Sequence, residues 1–270
     1  MRIGVFDSGI GGLTVLRTLA SALPGHDLIY LGDTARVPYG TRSPETVIRY
    51  SLRVCSYLYE QDVGALVIAC NTATTWAMDA LRRAGEAAGV PVFGVVEPGV
   101  RAALQAHEKG AIAVLGTEGT ISGGAYQRGL SRDHHGVRVV PVACPLFVPL
   151  AEEGWLSGEV PRLVAENYLG PIRDQVDTAI LGCTHYPLLR EVIGQALPGV
   201  TLVDSAHETA QAVLAALGPG DPEHERSVRF LVTDHIDRFT RVGSTFFGSP
   251  PRPVTWVDLP EPKGPFAESP

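Results

Sequence analysis

The sequence predicts an α/β protein of two similar domains, each a mainly parallel sheet flanked by helices. Three observations carry that expectation. Short Val- and Ile-rich apolar runs alternate along the chain with stretches of helical length and period, the pattern of strand–helix–strand units. The runs are continuously apolar, as strands covered on both faces are. One strand-to-helix passage also occurs twice: Val67-Ile68-Ala69-Cys70-Asn71-Thr72 is echoed by Ile180-Leu181-Gly182-Cys183-Thr184-His185. The copies stand too far apart for an array of short repeats and fit two domains facing each other.

Taken in order, strands are expected at 3–6, 28–31, 65–69, 92–96, 111–115, 137–142, 178–181 and 201–203. Helices are expected at 13–23, 44–60, 74–88 and 206–217. A coarse boundary falls near Glu97-Pro98-Gly99, where the fourth run ends in a turn signal. In parallel α/β sheets, ligands gather beyond the carboxyl ends of the strands. The segments there are small and polar: Asp7-Ser8-Gly9, Gly32-Asp33-Thr34, Cys70-Asn71-Thr72, Gly116-Thr117-Glu118 and Gly182-Cys183-Thr184-His185. Glycine lets backbone approach a ligand, and helix N-termini favour a carboxylate or phosphate. A small anion is the generic expectation.

At 270 residues, 45% hydrophobic and 19% charged, the chain has a globular balance and suits one large domain or two modest ones. A net charge of −7 disfavours a nucleic-acid binder, which needs a clustered basic face. The apolar run before Asp7 is too short for the core of a signal peptide. No apolar stretch approaches the roughly 20 residues that span a membrane. The expected setting is a reducing cytoplasm, with neither nucleic acid nor membrane as partner. The 4 cysteines form no CxxC pair, which argues against a disulfide scaffold and a structural zinc site.

Each motif has a plain alternative. The glycine turn at 9–12, with Asp33 after the second strand, imitates a dinucleotide site, but Thr14 stands where the third glycine belongs. Cys55 and Cys144 read as small buried hydrophobes. Cys70 and Cys183 invert that reading, because both stand at the ligand edge in a repeated context. Both also precede polar helix starts, where a thiol pKa falls below its usual value of about 8.5. Asp7 is either the N-cap of the first helix or a partner of Cys70. His185 is either structural or a proton carrier beside Cys183. Glu152 and Glu153 read, by composition alone, as surface carboxylates.

These motifs resemble those of the glutamate racemase family. The matching stretches are 6–15 (FDSGIGGLTV), 32–40 (GDTARVPYG), 68–73 (IACNTA), 116–120 (GTEGT), 143–150 (ACPLFVPL), 182–189 (GCTHYPLL) and 202–205 (LVDS), within a similarity running from residue 2 to about 247. The resemblance implies cofactor-independent interconversion of L- and D-glutamate, supplying D-glutamate for peptidoglycan, by a cytoplasmic homodimer. It implies two domains, 1–96 with 207–270 and 97–206, related by pseudo-two-fold symmetry around the active site. Racemisation takes a proton from one face of Cα and returns one to the other, so two groups on opposite faces need not move. The resemblance assigns those roles to Cys70 and Cys183, with Asp7 supporting the first and Glu152 and His185 the second. Substrate contacts map onto Asp7, Ser8, Tyr39, Gly40, Asn71, Thr72, Thr184 and His185, with no metal and no cofactor. The Pro-rich stretch 250–270 carries no recognisable motif and reads as a partly disordered tail, so a chain shortened after Ser249 is expected to keep its turnover. Open alternatives are a sister racemase acting on aspartate, a hydantoin or another small acid, and a non-catalytic small-anion-binding protein.

Overall fold

The computed structural model describes residues 1–267. From the N-terminus run β1 (Arg2–Asp7), α1 (Leu13–Ala22), β2 (Asp27–Gly32), α2 (Pro44–Tyr59), β3 (Ala65–Ile68), α3 (Asn71–Ala88) and β4 (Val92–Gly94). There follow α4 (Val96–Ala106), β5 (Ala111–Gly116), α5 (Glu118–Gly123), α6 (Ala125–Asp133), β6 (Arg138–Ala143), α7 (Phe147–Glu152) and α8 (Glu159–Leu169). The chain continues through β7 (Val176–Gly182), α9 (Arg190–Ala196), β8 (Thr201–Val203), α10 (Ser205–Leu217), β9 (Val228–Val232), α11 (Ile236–Phe247) and β10 (Val254–Trp256).

The strands form two sheets, and every ladder among the described residues is parallel. The first has the order β10-β9-β2-β1-β3-β4, and the second β6-β5-β7-β8. The run β2-β1-β3-β4 is therefore repeated as β6-β5-β7-β8. Cys70 follows β3 just as Cys183 follows β7, so the echo in sequence is an echo in topology. The second visit to the first sheet, by β9 and β10, extends its β2 edge.

Local chemistry sets the helix starts. Ser43 caps α2 by accepting from the N–H of Thr46, with Pro44 in the first turn where its missing N–H costs nothing. Asp204 caps α10 through the N–H of Ala206 at 2.9 Å. Gly89 ends α3 in the left-handed region, at φ 69°, which a side chain would resist. Helix α10 packs against both α1 and α4, joining the covers of the two sheets.

Three expectations are corrected. The strand expected at 92–96 stops at Gly94, and Glu97 and Pro98 lie in the first turn of α4 rather than in a boundary turn. Proline is tolerated there because first-turn N–H groups have no helical partner. The helix expected from Thr74 begins at Asn71, which makes Cys70 its N-cap. The stretch from Pro250 is ordered through residue 267: β10 pairs with β9, Val257 and Leu259 are buried, and Phe266 is wholly buried beside Tyr59. These apolar anchors, with the N–H of Lys263 donating to Ser56 Oγ, hold a segment whose prolines suggest otherwise. Residues 268–270 of the expected tail lie outside the described residues.

Candidate active site

A cavity of about 190 Å³ lies between the carboxyl ends of the two sheets. Ser8, Tyr39, Gly40, Cys70, Asn71 and Thr72 line it from the first half, and Glu152, Cys183, Thr184 and His185 from the second. Asp7 alone of the expected residues does not line it; it is buried just behind, its Oδ2 accepting from the N–H of Gly9 at 2.9 Å. Thr117 and Glu118, from a segment the sequence places at the ligand edge without giving it a role, also line it, as do Pro145, Val148 and Pro149, which nothing in the sequence marks as site residues. A larger cleft of about 380 Å³ against α3, α4 and α6 holds no thiol.

On the first side, Cys70 donates toward Ser8 Oγ at 3.5 Å and accepts from the N–H of Ala73 at 3.4 Å. Burial first, and then the Asp7 carboxylate, push this thiol up to about 12, against the Ser8 and Ala73 hydrogen bonds. The sequence leads one to expect a lowered thiol at a helix start. The structure reverses that for Cys70, because loss of water and a neighbouring acid outweigh the helix N–H. Burial also raises the Asp7 carboxyl, while His185 and the N–H groups of Gly9 and Gly12 pull it down. Asp7 is not the cap of α1; Gly12 holds that position without a side-chain bond.

On the second side, Cys183 leads into a single 3-10 turn, Tyr186–Leu189, rather than directly into a helix. His185 stands beside this thiol instead. Its Nδ1 lies 3.8 Å from Cys183 Sγ and its Nε2 lies 3.0 Å from Glu152 Oε1. Burial would lower His185, but hydrogen bonds to Cys183 and Glu152, and their charges, carry it to about 10. Burial would likewise raise Glu152, yet His185 and Arg238 hold it below the ordinary carboxylate value. Arg238 donates to Glu152 Oε2 at 2.9 Å. No sequence motif marks Arg238, since it arrives on α11 from the other half.

The remaining loops are held by side-chain contacts, several of them between the halves. Asn71 Oδ1 accepts from Tyr126 at 2.7 Å, and Thr72 Oγ1 meets Thr117 at 2.9 Å and Thr120 at 3.2 Å. Thr14 donates to the Thr184 carbonyl at 3.2 Å. Tyr39 is fixed by donating to Asp33 Oδ2 at 2.7 Å, while Asp33 Oδ1 accepts from Arg36 and Thr233. A carboxylate so occupied is not free to hold a ribose, which removes the support for the dinucleotide reading. Cys55 and Cys144 are buried in the packing.

Fold and site together define a two-lobed α/β protein that presents a thiol from each lobe into one small polar cavity. The pattern of the family described as Asp/Glu/Hydantoin racemase matches residues 3–213, and the chain belongs to that family. Glutamate racemase from Geobacter metallireducens is 51% identical over 263 residues, 95% of this chain and 96% of that protein. Glutamate racemase from Aquifex aeolicus is 51% identical over 213 residues, 79% of this chain and 82% of that one. Among solved structures, glutamate racemase from Francisella tularensis in complex with D-glutamate matches with a TM-score of 0.87 at 35% identity, covering 96% of this chain and 97% of that one. With relatives this close over nearly its whole length, the chain is an amino-acid racemase.

Proposed function

We propose that the protein interconverts L- and D-glutamate without an added cofactor, using Cys70 and Cys183 as alternating base and acid on opposite faces of Cα. The observation that carries this reading is that both thiols line one cavity from equivalent strand ends of the two sheets. In each turnover a thiolate on one side takes the Cα proton and becomes a thiol. The thiol on the other side delivers its proton to the opposite face and becomes a thiolate. The two side chains end with exchanged protonation states and reset through solvent or through substrate of the other hand. The mechanism couples them, since one must be thiolate while the other is thiol in each direction. Asp7 acts at Cys70, and the Glu152–His185 pair at Cys183.

No Lys or Arg lines the cavity among the described residues. The substrate carboxylates therefore rest on backbone N–H groups, on the hydroxyls of Ser8, Thr72 and Thr184, on Tyr39-Gly40 and Asn71, and on His185. A closed cleft with such fixed dipoles stabilises the developing carbanion more than water does. The domains divide as 1–96 with 207–270 and 97–206, a reading supported by the membership of the two sheets. The resemblance supports a cytoplasmic homodimer supplying D-glutamate for peptidoglycan.

Incubating either enantiomer with purified protein in deuterium oxide tests the reaction. Both hands are expected to convert, with deuterium at Cα of the product. Cys70→Ser and Cys183→Ser are each expected to lower kcat by about 100-fold or more. Wild-type turnover in both variants sinks the two-thiol mechanism, and faster turnover of aspartate sinks the substrate.

A further inference from the structure

We propose that Arg238, on α11, is a positioning residue for Cys183, acting through Glu152 and His185. The proposal rests on the two-thiol reading and adds a group to it. Arg238 donates to Glu152 Oε2 at 2.9 Å and lies 3.5 Å from Glu153 Oε1. Phe246, also on α11, stands edge-on to the His185 ring with centroids 5.1 Å apart. Residues 238 and 246 are little more than two turns apart, so one face of α11 addresses both members of the pair. The contacts then run unbroken from Glu152 Oε1 to His185 Nε2 at 3.0 Å, and from His185 Nδ1 to Cys183 Sγ at 3.8 Å.

The physical role follows from the two oxygens of a carboxylate. The Glu152 side chain is 24% exposed and free to turn toward water unless one oxygen is held. With Oε2 fixed by the guanidinium, Oε1 faces the imidazole, and the imidazole in turn keeps Nδ1 on the thiol. The charged and titratable groups facing this pair are Asp7 and Cys70 from the first sheet, Cys183 on the same turn, Glu153 just past the end of α7, and Arg238. Apart from His185 itself, Arg238 is the cation of that set. Its side chain is 41% exposed, so screening keeps its contribution to stability small. What it supplies is the direction of Glu152.

Enantiomers are equal in free energy, so kcat/KM is the same in both directions for every variant. A defect confined to one thiol therefore appears as a changed ratio of the two kcat values. Arg238→Met and Arg238→Lys, made in the full chain, test the proposal. Arg238→Met is expected to melt within about 2 °C of the parent. It is expected to lose about 10-fold in kcat/KM and to shift the ratio of kcat for the two hands about threefold or more. Alkylation of Cys183 by iodoacetamide at pH 8, followed by mass spectrometry, slows severalfold while Cys70 is unchanged, and Arg238→Lys recovers most of both. An unchanged kcat ratio with unchanged Cys183 alkylation overturns the proposal, as does equal slowing at both thiols. The alkylation needs no turnover, so it judges Arg238 even if Cys183→Ser proves fully active and the two-thiol reading falls.

Discussion

Tyr126 donates its phenolic proton to Asn71 Oδ1 across 2.7 Å, tying α6 of one half to the first residue of α3 in the other. Both partners are buried, and Asn71 lines the cavity. Tyr126→Phe keeps the packing and leaves the amide oxygen without its donor. The expected loss is about 1–2 kcal/mol of stability, read by denaturant unfolding. KM for glutamate should rise severalfold, more than kcat falls, because the amide is freed to turn while the thiols keep their places. An unchanged KM would show that the bond serves stability alone.

Gly11 is a closer contact still. A Cβ there would run into Thr184 Oγ1 and the ring of His185, groups from the opposite half. Gly11→Ala must push the His185 ring or open the halves, at about 1–3 kcal/mol of strain. Turnover should fall at least about 10-fold while the fold, checked by circular dichroism, persists. Normal turnover in this variant would mean that the two halves have slack against each other.

The proton linkage of His185 has a definite sign. Its folded value of about 10 stands above its ordinary 6.5, so the stability it brings is full below about pH 6.5 and is lost as pH rises toward 10. Asp7 and Cys70 are also raised and work in the same sense, Asp7 from its lower starting value and Cys70 only above about pH 9. Glu152 is lowered, so its contribution is lost on the acid side. The guanidinium midpoint should therefore decline between pH 7 and 10. His185→Gln should flatten that decline, and parallel curves for the two proteins would sink the assignment.

The legible part of this molecule is the part whose chemistry is local. The first eight strands are marked by apolar runs; in β1, β2, β3, β5 and β7 these are buried on both faces and need no polar alternation, while the edge strands β4, β6 and β8 carry such runs although they are largely half-exposed. Cys70 and Cys183 stood out because one context recurs at two strand ends. By contrast, β9 has Arg229 as its second residue and β10 is a Val-Thr-Trp segment set among prolines, so neither stands out as such a run. Arg238 and Tyr126 act on cavity residues far away in sequence, Glu152 and Asn71, and only the docking of the two halves brings those pairs together. The Pro-rich end misleads for the same reason: its order comes from what it packs against.

That end yields a strong test of the fold. Phe266 is wholly buried in a short 3-10 turn, Gly264–Phe266, which packs on α2 and α3, and its ring lies 5.6 Å from that of Tyr59. Phe266→Ala should cost about 3–5 kcal/mol, as removal of a buried aromatic does. Ending the chain at Ser249 removes more. It strips β10 from β9, leaving the outer edge of that strand open while its inner edge stays on β2, and takes Val257 and Leu259 out of the core along with Phe266. The shortened protein should melt well below the full chain and lose soluble yield, with turnover falling in proportion to the folded fraction. A melting temperature within about 2 °C of the full chain would show instead that α2 and α3 close over the gap unaided.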